Sequence, residues 1–405
     1  MHQMERNQNP MQHFAIIQSL CRVAMSNPHP ALTKQVERLR DALKDTGDAK
    51  GAAALSSILT SAQRTEDMAP SKLTRSKATS GEALTRNTVV PVDRETSTPL
   101  AQIIFQPQIS EAGPLFDQNV SGGIKSLLEE WSHREAFEAA GIHPTKTCLI
   151  YGAPGTGKTR LAMWMAKQLD LPVVVARLDS LVSSFLGTSS RNIGTLFNFA
   201  NRYRCLLLLD EFDALAKLRD DPQEVGEIKR IVNALLQNLD TREASGFTIG
   251  ITNHPQLLDP AVWRRFEVQL QIPNPDTSLR LEMARWFMTP TSAPESHLKL
   301  FSWFTQGATG AELEAVVRSY KKLRAVRGDK PYELLDLFRQ FATLNSGRLT
   351  AERRHLLHDP AELVDALHRD KELSFSMQEL GEIISKDKST VSRMLNAKSK
   401  AMRDG

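Results

Sequence analysis

Only 3 of the 405 residues are cysteine, and Cys21, Cys148 and Cys205 stand far apart with no metal-ligand spacing. That excludes a disulfide-stapled small fold and a cysteine metal knuckle, and points to a reducing compartment such as the cytoplasm. Long apolar runs are also missing. The longest, CLLLL at 205–209, is far short of the roughly 18 residues that a membrane span needs, and the polar start MHQMERNQNP has no apolar core of a secretion signal. An excess of one charge is absent too, since 51 Lys and Arg against 47 Asp and Glu leave a formal +4. Contact with nucleic acid therefore has to come from local charge rather than from the molecule as a whole. What is present, 41% hydrophobic and 24% charged residues, is a globular composition long enough for two or three domains.

The periodicity changes along the chain. ALTKQVERLRDALKD places Leu32, Val36, Leu39 and Leu43 on one helical face, so residues 1–63 are read as a helical module. Residues 64–99 are rich in Ser, Thr, Arg and Pro without a sustained period, and are expected to be a flexible linker. From 100 to 275 short apolar runs (TCLIY, PVVVARL, CLLLLD, FTIGIT) alternate with helical patterns, which predicts a parallel sheet with helices on both faces. KRIVNALLQNLD, with Ile231, Val232, Leu235, Leu236 and Leu239 on one face, is expected to pack on that sheet. Residues 276–345 read as a helical lid, and 346–405 as a further helical module.

GAPGTGKT, from Gly152 to Thr159, lies between an apolar strand and the helical RLAMWMAKQL. This is the setting of a phosphate-binding loop: within Gly152, Ala153, Pro154, Gly155, Thr156 and Gly157 the glycines let backbone N–H groups turn inward, and Lys158 reaches the β- and γ-phosphates. Thr159 offers its hydroxyl to Mg²⁺, and Arg160 follows on the helix. CLLLLDEFD then delivers Asp210 toward Mg²⁺ and Glu211 toward the attacking water. GFTIGITNHP ends a further strand at Asn253, placed to orient that water. ATP and Mg²⁺ are the cofactors these residues imply. A nucleotide switch without turnover has no need of Glu211.

With these motifs the sequence resembles the AAA branch of P-loop ATPases over about residues 100–330. The resemblance implies arginine fingers at the end of LLDPAVWRRFE, Arg264 and Arg265, each serving the nucleotide of a neighbouring subunit, hence a homo-oligomeric, hexameric ring. It implies an adenine-side contact in GATGAELEAVV at Gly310 and Ala311; Arg230, on the helix KRIVNALLQNLD, is read separately as near a subunit boundary. LVSSFLGTSSRNIG is similar to the family's first pore loop, with Phe185 and Leu186 gripping a threaded polypeptide, although Thr188 stands where an acidic residue is frequent. By itself, Phe185 between Val182 and Leu186 reads as core. The helical N-terminal module together with RLDSLVSSFLG, DEFDAL and ITNHPQLLDPAVWRRFE also resembles bacterial AAA ATPases encoded beside subtilisin-like proteases, so a protease partner is open.

The ending, ELGEIISKDKSTVSRMLN, matches a helix-turn-helix when Val391 takes the buried position of the second helix. Leu380, Ile384 and Met394 then face the core, Gly381 lies at the helix crossing, and Ser389, Thr390 and Arg393 face outward. Lys386, Lys388 and Lys398 are available to phosphates, and residues 386–405 carry six Lys or Arg against two Asp. Ser385 stands where glycine is common and Lys386 where an apolar residue is, so either a looser turn or a degenerate motif is expected. Two readings stay open: a DNA-tethered ATPase, or a small helical bundle for protein contacts.

Overall fold

The computed structural model describes residues 14–25, 30–67, 81–181, 188–213, 225–242, 246–327, 334–344 and 351–401. The chain divides into two compact units, Met1–Arg75 and Ser76–Gly405. In the first, helices α1 (Phe14–Met25), α2 (Pro30–Asp45) and α3 (Ala49–Asp67) enclose Cys21, Val36, Leu43, Leu55, Ile58 and Leu59. Leu39 of the expected face packs against this core, while the side chain of Leu32 lies outside those described.

The second unit is built on six strands: β1 (Ala101–Ile104), β2 (Thr147–Tyr151), β3 (Val173–Ala176), β4 (Leu206–Leu209), β5 (Phe247–Thr252) and β6 (Val268–Gln271). They run in the order β1-β3-β4-β5-β2-β6, with β1 antiparallel to β3 and every other pair parallel. β4 and β5 are buried at every position, and β4 accordingly reads as an unbroken apolar run, while β5 buries Thr248 and Thr252 alongside its apolar residues. Between the strands run α4 (Gln118–Ser132), α5 (Lys158–Gln168), α6 (Thr188–Arg202) and α7 (Val225–Asp240). Ile231, Val232, Leu235 and Leu239 of α7 are buried in the core that also holds Leu207 and Leu209. Because β2 sits between β5 and β6, the chain leaves it toward β3 and later returns across it, opening a crevice at its carboxyl end.

Part of the stretch expected as linker behaves otherwise. Glu82 N donates to Arg202 O at 2.9 Å and Arg204 N to Glu82 O at 2.8 Å, a short parallel bridge to the end of α6. Asp93 is buried and accepts from Asn192 Nδ2 at 2.6 Å, Glu95 N at 2.7 Å and Thr96 N at 2.9 Å. These bonds hold its carboxyl below the usual range, led by that from Thr96. Polar composition here reflects hydrogen bonds into the α/β body rather than solvation along the whole of 64–99.

After β6 come α8 (Thr277–Met288), α9 (Glu295–Phe304), α10 (Gly310–Arg327), α11 (Leu334–Leu344), α12 (Pro360–Arg369), α13 (Met377–Ile384) and α14 (Lys388–Ala401). One continuous core joins them, from Met283 and Phe301 through Phe338 to Leu363, Leu380 and Val391. Phe338 stands at its centre, with ring centroids 4.5 Å from Phe304 and 5.7 Å from Phe301. Lys299 Nζ lies 2.7 Å from a Glu379 carboxylate oxygen, and Ser296 Oγ donates to Glu382 at 2.7 Å, tying α9 to α13. Removing the shared ring should therefore loosen both ends: Phe338→Ala is expected to cost about 3–5 kcal/mol. Urea melts would read the loss, and hydrogen exchange should quicken in 310–327 and 377–395 together; exchange quickening in only one would break the link.

Candidate nucleotide site

The phosphate loop bridges β2 and α5 in the crevice that the strand order creates. Gly155 at φ +81° and Gly157 at φ +95° occupy left-handed backbone open to glycine at little cost, and α5 begins at Lys158 with its N–H groups directed into the loop. Lys158 is buried, its Nζ donating to Gly152 O at 2.9 Å and Ala153 O at 2.7 Å. Burial pulls its ammonium below the ordinary value while Asp210 and Asp213 pull the other way. Thr156 Oγ1 closes the turn on Ala153 O at 2.9 Å.

The sheet register brings the other residues to the same edge. β4 ends at Leu209 opposite Gly250 and β2 ends at Tyr151 opposite Thr252, so Asp210, Glu211, Asn253 and Gly152 all follow strand ends side by side. Thr159 Oγ1 donates to Asp210 Oδ2 at 2.8 Å across this edge. A hydroxyl and one carboxylate oxygen are hard donors of the kind Mg²⁺ takes alongside phosphate and water, so the residues fit the ion. Among the described residues no group of three or more His, Cys, Asp or Glu gathers for a metal.

Glu211 is exposed and left-handed at φ +53°, a backbone state costing a non-glycine residue about 1–2 kcal/mol. Its N–H donates to Asp210 Oδ1 at 2.9 Å, and Phe212, buried, donates its N–H to Ile251 O at 2.8 Å. The bend is thereby held at the end of β4. Asp213, which the sequence reading passed over, is buried one turn on; Asn253 N donates to its Oδ1 at 3.4 Å and His254 Nε2 lies 4.0 Å from its Oδ2.

The lid closes the other wall. Ala311 N donates to Gly155 O at 3.1 Å, and a cleft of about 210 Å³ is lined by Gly155, Thr156 and Gly157 below and Gly310 and Ala311 above. Trp286 completes it, with the Arg160 guanidinium 4.5 Å from its ring centre. Met283, Trp286 and Phe287 were not recognised as site residues, because within SLRLEMARWFM an apolar position facing a cleft has the same spacing as one facing a core. Arg264 and Arg265 follow the short helix Pro260–Trp263, are exposed, and do not line this cleft. Arg265 Nε lies 2.6 Å from Asp240, at the end of the helix whose exposed Arg230 was expected near a boundary. Phe185 and Leu186 lie outside the described residues; Thr188, just after them, is buried and donates to Glu95 at 3.0 Å. Lys388, Ser389, Thr390 and Arg393 belong to α14 and take no part in the cleft.

Comparison with known proteins agrees with this geometry. Residues 148–274 match the family described as "ATPase family associated with various cellular activities (AAA)". The proteasome-activating nucleotidase of Methanocaldococcus jannaschii is 30% identical over 315 residues, covering 75% of this chain and 71% of that one. The chain belongs to the AAA family of ATPases. The AAA family ATPase y4kL of Sinorhizobium fredii is 40% identical over 156 residues, 38% of this chain and 47% of its own length. The proteasome-activating nucleotidase of Thermococcus onnurineus is 30% identical over 243 residues, so the chain spans 59% of that relative and about half of the Sinorhizobium one.

Two substitutions separate binding from chemistry. Trp286→Ala removes a cleft wall and should weaken Mg²⁺-ATP about tenfold by calorimetry, the loss of one aromatic contact of about 1.4 kcal/mol. Glu211→Gln should bind the nucleotide as the parent does and lower turnover by about 10²–10⁴; parent-rate turnover in that variant would remove Glu211 from the reaction.

Proposed function

We propose that this chain is a Mg²⁺-dependent ATPase that assembles as a hexameric ring and uses turnover to pull on or remodel a protein partner in the cytoplasm. The observation that carries the first half is the Thr159–Asp210 pair at 2.8 Å beside the buried Lys158, with Glu211 bent out at the same strand end. The Lys158 ammonium exchanges its two loop carbonyls for the β- and γ-phosphates of ATP. Thr159 and Asp210 would hold Mg²⁺, which when bound would supply Lewis-acid offset of phosphate charge. Glu211 accepts the proton of the attacking water and Asn253 orients that water from the neighbouring strand end. The lid side of the purine is met by Gly310 and Ala311, where the AAA resemblance puts them.

Arg264 and Arg265 stand exposed and outside their own cleft, as side chains that act on a neighbouring copy do. An arginine supplied that way stabilises charge that develops only in the transition state and is worth about 10³–10⁵ in turnover. A ring follows from that requirement. The relatives named proteasome-activating nucleotidase, together with the resemblance of 182–188 to a pore loop, support a protein as the thing moved, with Phe185 and Leu186 as the grip and a protease as one possible recipient. No helix of the described residues is long and apolar enough to cross a membrane.

ATP turnover of the whole chain, measured alone and with an unfolded polypeptide, tests this reading. Polypeptide should raise the rate in the parent and leave Phe185→Ala at its basal rate; equal stimulation of both would overturn the grip. Arg264→Ala should be inactive alone, yet regain turnover when mixed with Lys158→Ala, because each copy then supplies what its neighbour lacks. No recovery in the mixture would argue against shared sites.

A further inference from the structure

The last three helices form a module whose use the nucleotide site does not explain. α13 and α14 are joined by Ser385 to Asp387, and Ser385 takes the left-handed state at φ +55°, ψ +43°, so serine serves where glycine is usual. Lys386 N donates to Gly381 O at 2.9 Å, and a Cβ on Gly381 would lie 2.5 Å from Lys386 O, so only glycine permits this crossing. Leu380, Ile384 and Val391 are buried against Leu363 and Leu367 of α12. The turn is thus tight, and the second helix is fixed with its outer face presented.

That face is polar and basic. Ser389, Arg393 and Asn396 are exposed at successive turns of α14, with Lys386 and Lys388 exposed at its start. Asp387, the acidic group here, is spent on the cap: it accepts from Thr390 N at 2.7 Å and Ser389 Oγ at 2.8 Å, which hold its carboxyl down at about 2. Arg393 Nη2 rests on Thr390 Oγ1 at 3.1 Å. Protein-docking faces rely on large apolar anchors, and among the described residues of α14 none of the large hydrophobic side chains is exposed.

We propose that α14 is a major-groove reading helix and that this module binds duplex DNA. An α-helix fills the major groove, where Arg393 has the donors to pair with guanine and Asn396 those to pair with adenine. Lys386 and Lys388, at the helix start, neutralise phosphates and set the helix's register on the duplex. The duplex would be tied to the lid, since α13 is held to α9 through Lys299–Glu379 and Ser296–Glu382. This site stands apart from the cleft and does not depend on the remodelling reading.

The test is fluorescence anisotropy of the full chain with a pool of random duplexes about 30 bp long, some three helical turns, without nucleotide and from about 50 mM salt upward. The parent should bind with micromolar or better affinity. Lys388→Ala with Arg393→Ala should weaken binding at least tenfold and lower the slope of log K against log salt by about one, the share of the Lys388 phosphate contact. Lys125→Ala with Arg204→Ala, an equal charge loss elsewhere, should leave binding at the parent value, and thermal melts check that both pairs fold. A parent that does not bind at low salt, or equal weakening by both pairs, would overturn the proposal.

Discussion

Ala311 N donates to Gly155 O at 3.1 Å, and on this contact between lid and phosphate loop the rest of the molecule depends. Gly155 can meet the lid because it has no side chain: a Cβ there would stand 2.9 Å from Thr309 Oγ1 and 3.0 Å from Ala311 Cβ. The nucleotide cleft therefore has one wall from the α/β body and one from the helices after it. Neither part makes the site alone. The phosphate loop brings charge and N–H donors, and the lid brings Trp286, Met283 and the small Gly310 and Ala311 at the start of α10.

Beyond that contact the lid does not stop where its sequence pattern changes. Phe301, Phe304 and Phe338 join α9 and α11, and the same core runs on to Leu380 and Val391. Packed interiors of this kind move as bodies rather than deforming continuously. In the proposed account, a change in how α10 meets Gly155 is carried to the outer face of α14 by packing, and the Lys299–Glu379 pair adds direction to it. The Lys299–Glu379 pair is largely withdrawn from solvent, where desolvation offsets much of the attraction, so the aromatic core rather than the pair is what makes the two ends one piece.

Much of this was readable from the chain because the strands are buried on both faces. TCLIY and CLLLLD are nearly continuous apolar runs and FTIGIT is short and β-branched, and the phosphate loop, the acidic strand end and Asn253 inherit their positions from the sheet register. Trp286 and Phe287 were not readable as cleft walls, since spacing cannot tell a cleft from a core. The packing of 81–99 was hidden for the opposite reason: Asp93 and Glu95 look solvated until Asn192 and Thr188, distant in sequence, meet them. The ending was readable as two helices at a crossing, but the tightness of its turn rests on a left-handed serine that composition does not announce.

Hydrogen exchange of the whole chain, with and without Mg²⁺ and a non-hydrolysable ATP analogue, tests most directly the claim that loop and lid form one site. The account predicts slowed exchange in 152–161 and in 310–317 at the same nucleotide concentration, with the strand end 206–213 joining them. Protection confined to the loop while the lid exchanges unchanged would contradict it.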